Sequence, residues 1–203
     1  MSRKVFDILA STGGVVIVVV LVIAGGLLTW GHSFVNSNVH DQLAQQQIYF
    51  PPQAAFQHAK AGTEITPSMI PSVSQYAGQQ LTTGAQAKVY ANDFIKVPLS
   101  EMPYGGVYSK ASAAAMKDPS NTKIQGVVQT IFKGTTLRGL LLEAYAFSAI
   151  GAVMLVGAIV SFVAAAVLAI LVGLGFWHAA RTPQETELLA GKAVPAPEPT
   201  PAA

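Results

Sequence analysis

The stretch Gly13-Gly14-Val15-Val16-Ile17-Val18-Val19-Val20-Leu21-Val22-Ile23-Ala24-Gly25-Gly26-Leu27-Leu28-Thr29-Trp30 runs for eighteen residues without a charge, close to the ~20 that a helix needs to cross the hydrocarbon of a bilayer. Its valines favour strand in water. In lipid every peptide group must be paired within the segment, so a helix is expected. Ile8, Leu9 and Ala10 extend it at the start, and Trp30 and His32 suit the wet boundary at its end. Arg3 and Lys4, with Ala24-Gly25-Gly26, are also ingredients of a cleaved secretory signal. The apolar run exceeds the about 7–15 residues of a signal core, so a retained anchor is the expectation.

A second apolar block, Leu140 to Trp177, holds 38 residues with Glu143 as its only charge. As one helix it would reach about 57 Å at 1.5 Å per residue, too long for one crossing. Residues 149–177 are therefore expected to cross, and 140–148 to form a stem. Arg138 and Glu143 lie five apart, which is not a favoured helical pair. No polar turn interrupts the block, so a hairpin of two crossings is disfavoured.

The whole chain agrees with this reading. Its 203 residues are 51% hydrophobic and 11% charged, against roughly 25% charged in ordinary soluble domains. The absence of cysteine excludes disulfides, thiolate metal sites and a cysteine nucleophile. A net charge of +2 with scattered bases leaves no footprint for nucleic acid. Arg3 and Lys4 precede the first span and the next base after it is Lys60, which places the amino terminus in the cytoplasm. Lys123, Lys133 and Arg138 pull the other way, but a connection longer than about 60 residues largely escapes the charge rule.

The expected fold class is thus an all-α membrane protein, two transmembrane helices flanking a small, mostly helical extracytoplasmic domain. Residues 1–12 form a cytoplasmic amino terminus, 13–30 and 149–177 the transmembrane helices, and 31–139 the exported domain. Residues 140–148 form the stem, and 178–203 a disordered, proline-rich cytoplasmic tail.

Within 31–139, Ser37 or Asn38 is expected to cap a helix through about Ile48, stopped by Phe50-Pro51-Pro52. A short helix over 54–61 would end at Gly62, and Thr66-Pro67 reads as another start. Thr83 with Gln86 forms a capping-box pattern that opens a helix to about Lys96. Met102-Pro103-Tyr104-Gly105-Gly106 reads as a turn, and 107–117 as a helix ended by Asp118-Pro119. Ile124, Val127, Val128, Ile131 and Phe132 have the spacing of one buried helical face. Gly134 would end that helix and Thr135 or Thr136 would begin the next. Gln45-Gln46-Gln47 and Gln79-Gln80 read as solvated helix surface. With few large aliphatics before Ile124, the domain should lean on the two long helices or on a partner surface.

Gly157, Ser161, Ala165, Ala169 and Gly173 recur every four residues in the second span, a strip of small residues that lets another backbone approach. It is the candidate helix–helix interface, with the first helix, a second copy or a larger membrane complex as partner.

The inventory for chemistry is thin. No HExxH, GxSxG, phosphate loop or dinucleotide fingerprint is present. His32 reads as an interfacial residue, and His40 and His58 as solvated positions. His40 and Asp41 are adjacent and diverge by about 100° on a helix, so they do not easily share a metal. Glu143 belongs to the wet stem. No catalytic residue, cofactor, metal or small-molecule substrate is expected.

The segments 1–14, Trp30-Gly31-His32-Ser33-Phe34-Val35, 39–48, Tyr76-Ala77-Gly78-Gln79-Gln80-Leu81, 135–142 and Gly173-Leu174-Gly175-Phe176-Trp177-His178-Ala179 together resemble a family of small actinobacterial two-helix membrane proteins. The resemblance covers most of the chain except the proline tail. Members commonly carry the label of an aromatic ring-opening dioxygenase, which would imply an iron-dependent oxygenase. The resemblance supplies no catalytic residues to carry over, and it implies a two-helix protein of the cell envelope. The leading expectation is a non-enzymatic accessory or scaffold protein of the cytoplasmic membrane that binds another envelope component; the alternatives are that oxygenase and a small membrane sensor.

Overall fold

A computed structural model describes residues 3–61, 63 and 65–181. The expected terminator Gly62 and the proline-rich segment beyond Arg181 lie outside the described residues, as do Met1 and Ser2. The described residues are helical, with no strand and one isolated bridge between Tyr49 and Gln80. Two helices, α1 (Arg3–Gln45) and α7 (Thr122–Arg181), are long and apolar enough to cross a membrane. The chain divides into two compact units, Met1–Leu28 with Val156–Ala203, and Thr29–Leu155.

In the first unit α1 and α7 run antiparallel. Along α1 the less exposed positions are Asp7, Ser11, Gly14, Val18, Leu21, Gly25 and Leu28, and along α7 Ala158, Ser161, Ala165, Leu168, Val172, Gly175 and Ala179. Both series alternate steps of four and three, the 3.5-residue period of a coiled-coil seam. Glycines supply the holes: a Cβ at Gly14 would overlap Val172, one at Gly175 would overlap the Ser11 hydroxyl, and one at Gly25 would lie 2.9 Å from the Phe162 ring. Outside this seam the long side chains are exposed, among them Val16, Ile23, Val163 and Ile170.

The second unit is built on the remaining lengths of the same two helices. Neither helix breaks where the sequence suggested. Asn38 does not open a new helix; its Nδ2 donates to the Phe34 carbonyl one turn back, inside α1. Gly134 does not end a helix either, because Thr135 Oγ1 donates to Ile131 O and α7 continues. In both cases a residue suited to capping satisfies itself against the preceding turn when a continuing helix is already paired. The actual start of α7 is capped by Asn121, whose Oδ1 accepts from Ile124 N.

α1 ends at Gln45, and Gln47 in the turn that follows takes a left-handed φ of 51°. Gln80 Nε2 donates to the Ala44 carbonyl, so this glutamine closes the helix end instead of lying on solvated surface. α2 (Gln53–Phe56) is shorter than expected. Pro67–Met69 follows as a 3₁₀ turn begun after Thr66, then α3 (Ile70–Val73). The capping box at Thr83 and Gln86 is present and opens α4 (Gly84–Val89). The helical path then passes through a π-helical segment, Tyr90–Ile95, into α5 (Lys96–Glu101), beyond the expected stop. Pro98 has no N–H for the ladder and its ring crowds the carbonyl one turn back; the wider π turn takes up that mismatch.

Gly106, at φ +67°, closes the turn after α5, and α6 (Tyr108–Lys117) follows as expected. On the periodic face of α7, Ile131 is fully buried; Ile124, Val127 and Val128 are half-buried, and Phe132 is exposed but 5.7 Å from the Tyr108 ring.

The core gathers Phe50, Phe56, Met69, Val73, Leu81, Ala87 and Ala91 around Val39 and Leu43 of α1 and Leu141 of α7. The Phe50 ring lies 5.2 Å from Tyr76 and 5.3 Å edge-on to Tyr90. Each such fully buried side chain contributes roughly 1.5–3 kcal/mol. The core is closed by the long helices, so the short ones do not form a self-contained bundle.

Candidate functional site

The structure spreads the small-residue strip around α7. Ala165 is 4% exposed, Gly157 and Ser161 are half-buried, and the nearest atom to a Cβ at Gly157 is Leu28 Cδ1 at 3.2 Å. Ala169 and Gly173 are exposed, and a Cβ at Gly173 would meet nothing within 4 Å. Steps of four on a helix of 3.6 residues per turn drift about 40° each. The strip therefore leaves the α1 seam after Ala165 and turns outward. The seam itself was findable in the sequence, since Ser11, Gly14 and Gly25 keep the alternating spacing that the strip does not.

In the second unit His32 is half-buried, and its Nδ1 donates to the Gly151 carbonyl at 2.8 Å. Val35 packs over Gly151 from the next turn, with 3.4 Å from its Cγ1 to a Cβ built there. His40, Asp41, His58 and Glu143 are exposed. Among the described residues no group of three His, Cys, Asp or Glu side chains is arranged to hold a metal; Glu64 lies outside them.

Two polar contacts escaped the sequence. Arg138 Nη2 donates to Asn92 Oδ1 at 2.9 Å, while its buried Nε has no partner. Lys88 Nζ sits 4.8 Å above the Tyr145 ring and 3.4 Å from its hydroxyl. Both tie the α4–π segment to α7, as does Gly84, where a Cβ would overlap Ser148. Such pairs join residues about fifty apart in sequence, and no local pattern announces them.

The α1 and α7 lengths of this unit part to leave a cleft of about 280 Å³ whose walls include Val39, Leu43, Leu140 and Phe147, with Gln46 and Glu143 among its polar residues. A hollow of about 190 Å³ shares Val39, Gln42 and Phe147 with it and reaches Phe34. Concave, mostly apolar and holding a few polar groups, this cleft has the general character of a ligand site.

No protein-family model, curated protein or solved structure matches the chain.

Proposed function

We propose that the chain is a two-span protein of the cytoplasmic membrane, both termini cytoplasmic, whose 31–139 segment lies outside and acts as a non-enzymatic accessory or scaffold for another envelope component. The observation that carries this reading is the way the core borrows Val39, Leu43 and Leu141 from the long helices while leaving large side chains uncovered. Tyr49 is 58% exposed and Met116 73%. A domain anchored at both ends, with apolar side chains facing out, suits docking better than turnover.

The absence of cysteine makes single-site labelling clean. Met116→Cys should react with a membrane-impermeant maleimide in intact cells, and Lys4→Cys only after lysis. The reverse pattern would overturn the orientation. Crosslinking in cells followed by native electrophoresis should give a discrete complex; a lone 21.2 kDa monomer would overturn the scaffold role. Stoichiometric iron in the purified protein, lost when His40 and His58 are both changed, would replace it with the oxygenase reading.

A further inference from the structure

We infer that the cleft between α1 and α7 in the second unit holds an acyl chain of a bilayer lipid whose head group carries an ammonium. This rests on the membrane-spanning reading above. Phe34 lies one helical turn beyond Trp30 and stacks on it at 5.5 Å, and Phe147 lies two residues before the second span. The hollow thus begins where both helices would leave the hydrocarbon, and a chain can enter it without crossing water. Phe34 is 55% exposed, Phe147 50% and Leu140 58%, on lengths of helix that the span limits leave outside the bilayer core.

The polarity is graded. Phe34, Val35, Val39 and Phe147 line the end nearest the spans, with Asn38 and Gln42 as its uncharged polar residues, while Gln46 and the charged Glu143 belong to the larger cleft farther along α1 and α7. An amphiphile with its chain toward the membrane satisfies that order. Glu143 accepts and cannot donate when ionised, so a fatty-acid carboxylate is repelled and an ammonium is attracted there.

The test uses the full chain in phosphatidylglycerol vesicles doped with phosphatidylethanolamine that bears a nitroxide near the glycerol end of one acyl chain. A fluorophore is placed at Gln42→Cys, on the cleft, or at His40→Cys, at nearly the same height but on the exposed side of α1. Quenching should be several-fold stronger at position 42 than at 40. Ala144→Phe, which fills the cleft, should abolish the difference, and the milder Ala144→Leu should reduce it. Glu143→Lys should transfer the preference to nitroxide-bearing phosphatidylglycerol, a readout that does not need a tolerated filler.

Weak quenching at both positions overturns the inference while leaving the spans intact; self-quenching between labels on two copies would then identify a second chain as the occupant. Strong quenching at both positions would show that the whole flank is immersed, and the span limits themselves would fall.

Discussion

The contact between Gly14 and Val172 offers a direct measure of how the two long helices are held together. A Cβ at Gly14 would overlap Val172 Cγ2, so Gly14→Ala should overpack the seam at a cost of about 1–3 kcal/mol. Alanine's helix preference over glycine returns roughly 1 kcal/mol of that. Val172→Ala removes two methyl groups from the seam and should cost about 1 kcal/mol, mainly in lost dispersion, since lipid provides no hydrophobic drive between helices. In the double variant the new methyl occupies the space vacated by the valine. The two changes should therefore couple by about 1–2 kcal/mol, with the double variant more stable than the sum of the singles. Unfolding of the full chain in mixed micelles titrated with SDS, followed by circular dichroism, gives all three values. Additivity within about 0.5 kcal/mol would refute a seam built from glycine holes and side-chain knobs.

Three further expectations follow from the second unit. Thr83→Ala should destabilise the full chain by about 1 kcal/mol through loss of the cap, and Gln86→Ala by more. Gln86 is 6% exposed and its Oε1 accepts from the backbone N–H groups of both Thr82 and Thr83; denaturant titration would rank the two. Gly105 and Gly106 share a left-handed φ, near +64° and +67°, but a Cβ meets nothing at Gly105 and would overlap the Leu99 carbonyl at Gly106. Alanine should cost about 1–2 kcal/mol at position 105 and clearly more at 106, and equal melting shifts would contradict this. His32→Phe removes the donor to Gly151 O and should cost about 1 kcal/mol, measured in the same micelle titration as a shift absent from His40→Phe on the exposed face.

The sequence was most legible where the signal is local or periodic. Two apolar runs long enough to cross a bilayer, the capping box at Thr83 and Gln86, the turn before α6 and the face at Ile131 all depend on residues within a turn or two of one another. Helix ends were less legible. Asn38, Gly134 and Thr135 carry the chemistry of helix boundaries, yet a helix with its ladder intact on both sides passes through all three. Asn121, with the same chemistry, does begin a helix, because Pro119 leaves nothing to continue before it.

What only the tertiary structure decided is which small residues face which helix, and how the domain core is closed. Gly14 is a hole because Val172 stands opposite, Arg138 has a partner because the π turn presents Asn92, and Gln80 closes α1 because the chain returns past Ala44. Composition and period along one strand of sequence define what each segment is able to bury. Which surface it is buried against depends on packing between residues far apart in the chain, where shape at the scale of a single methyl group selects the register.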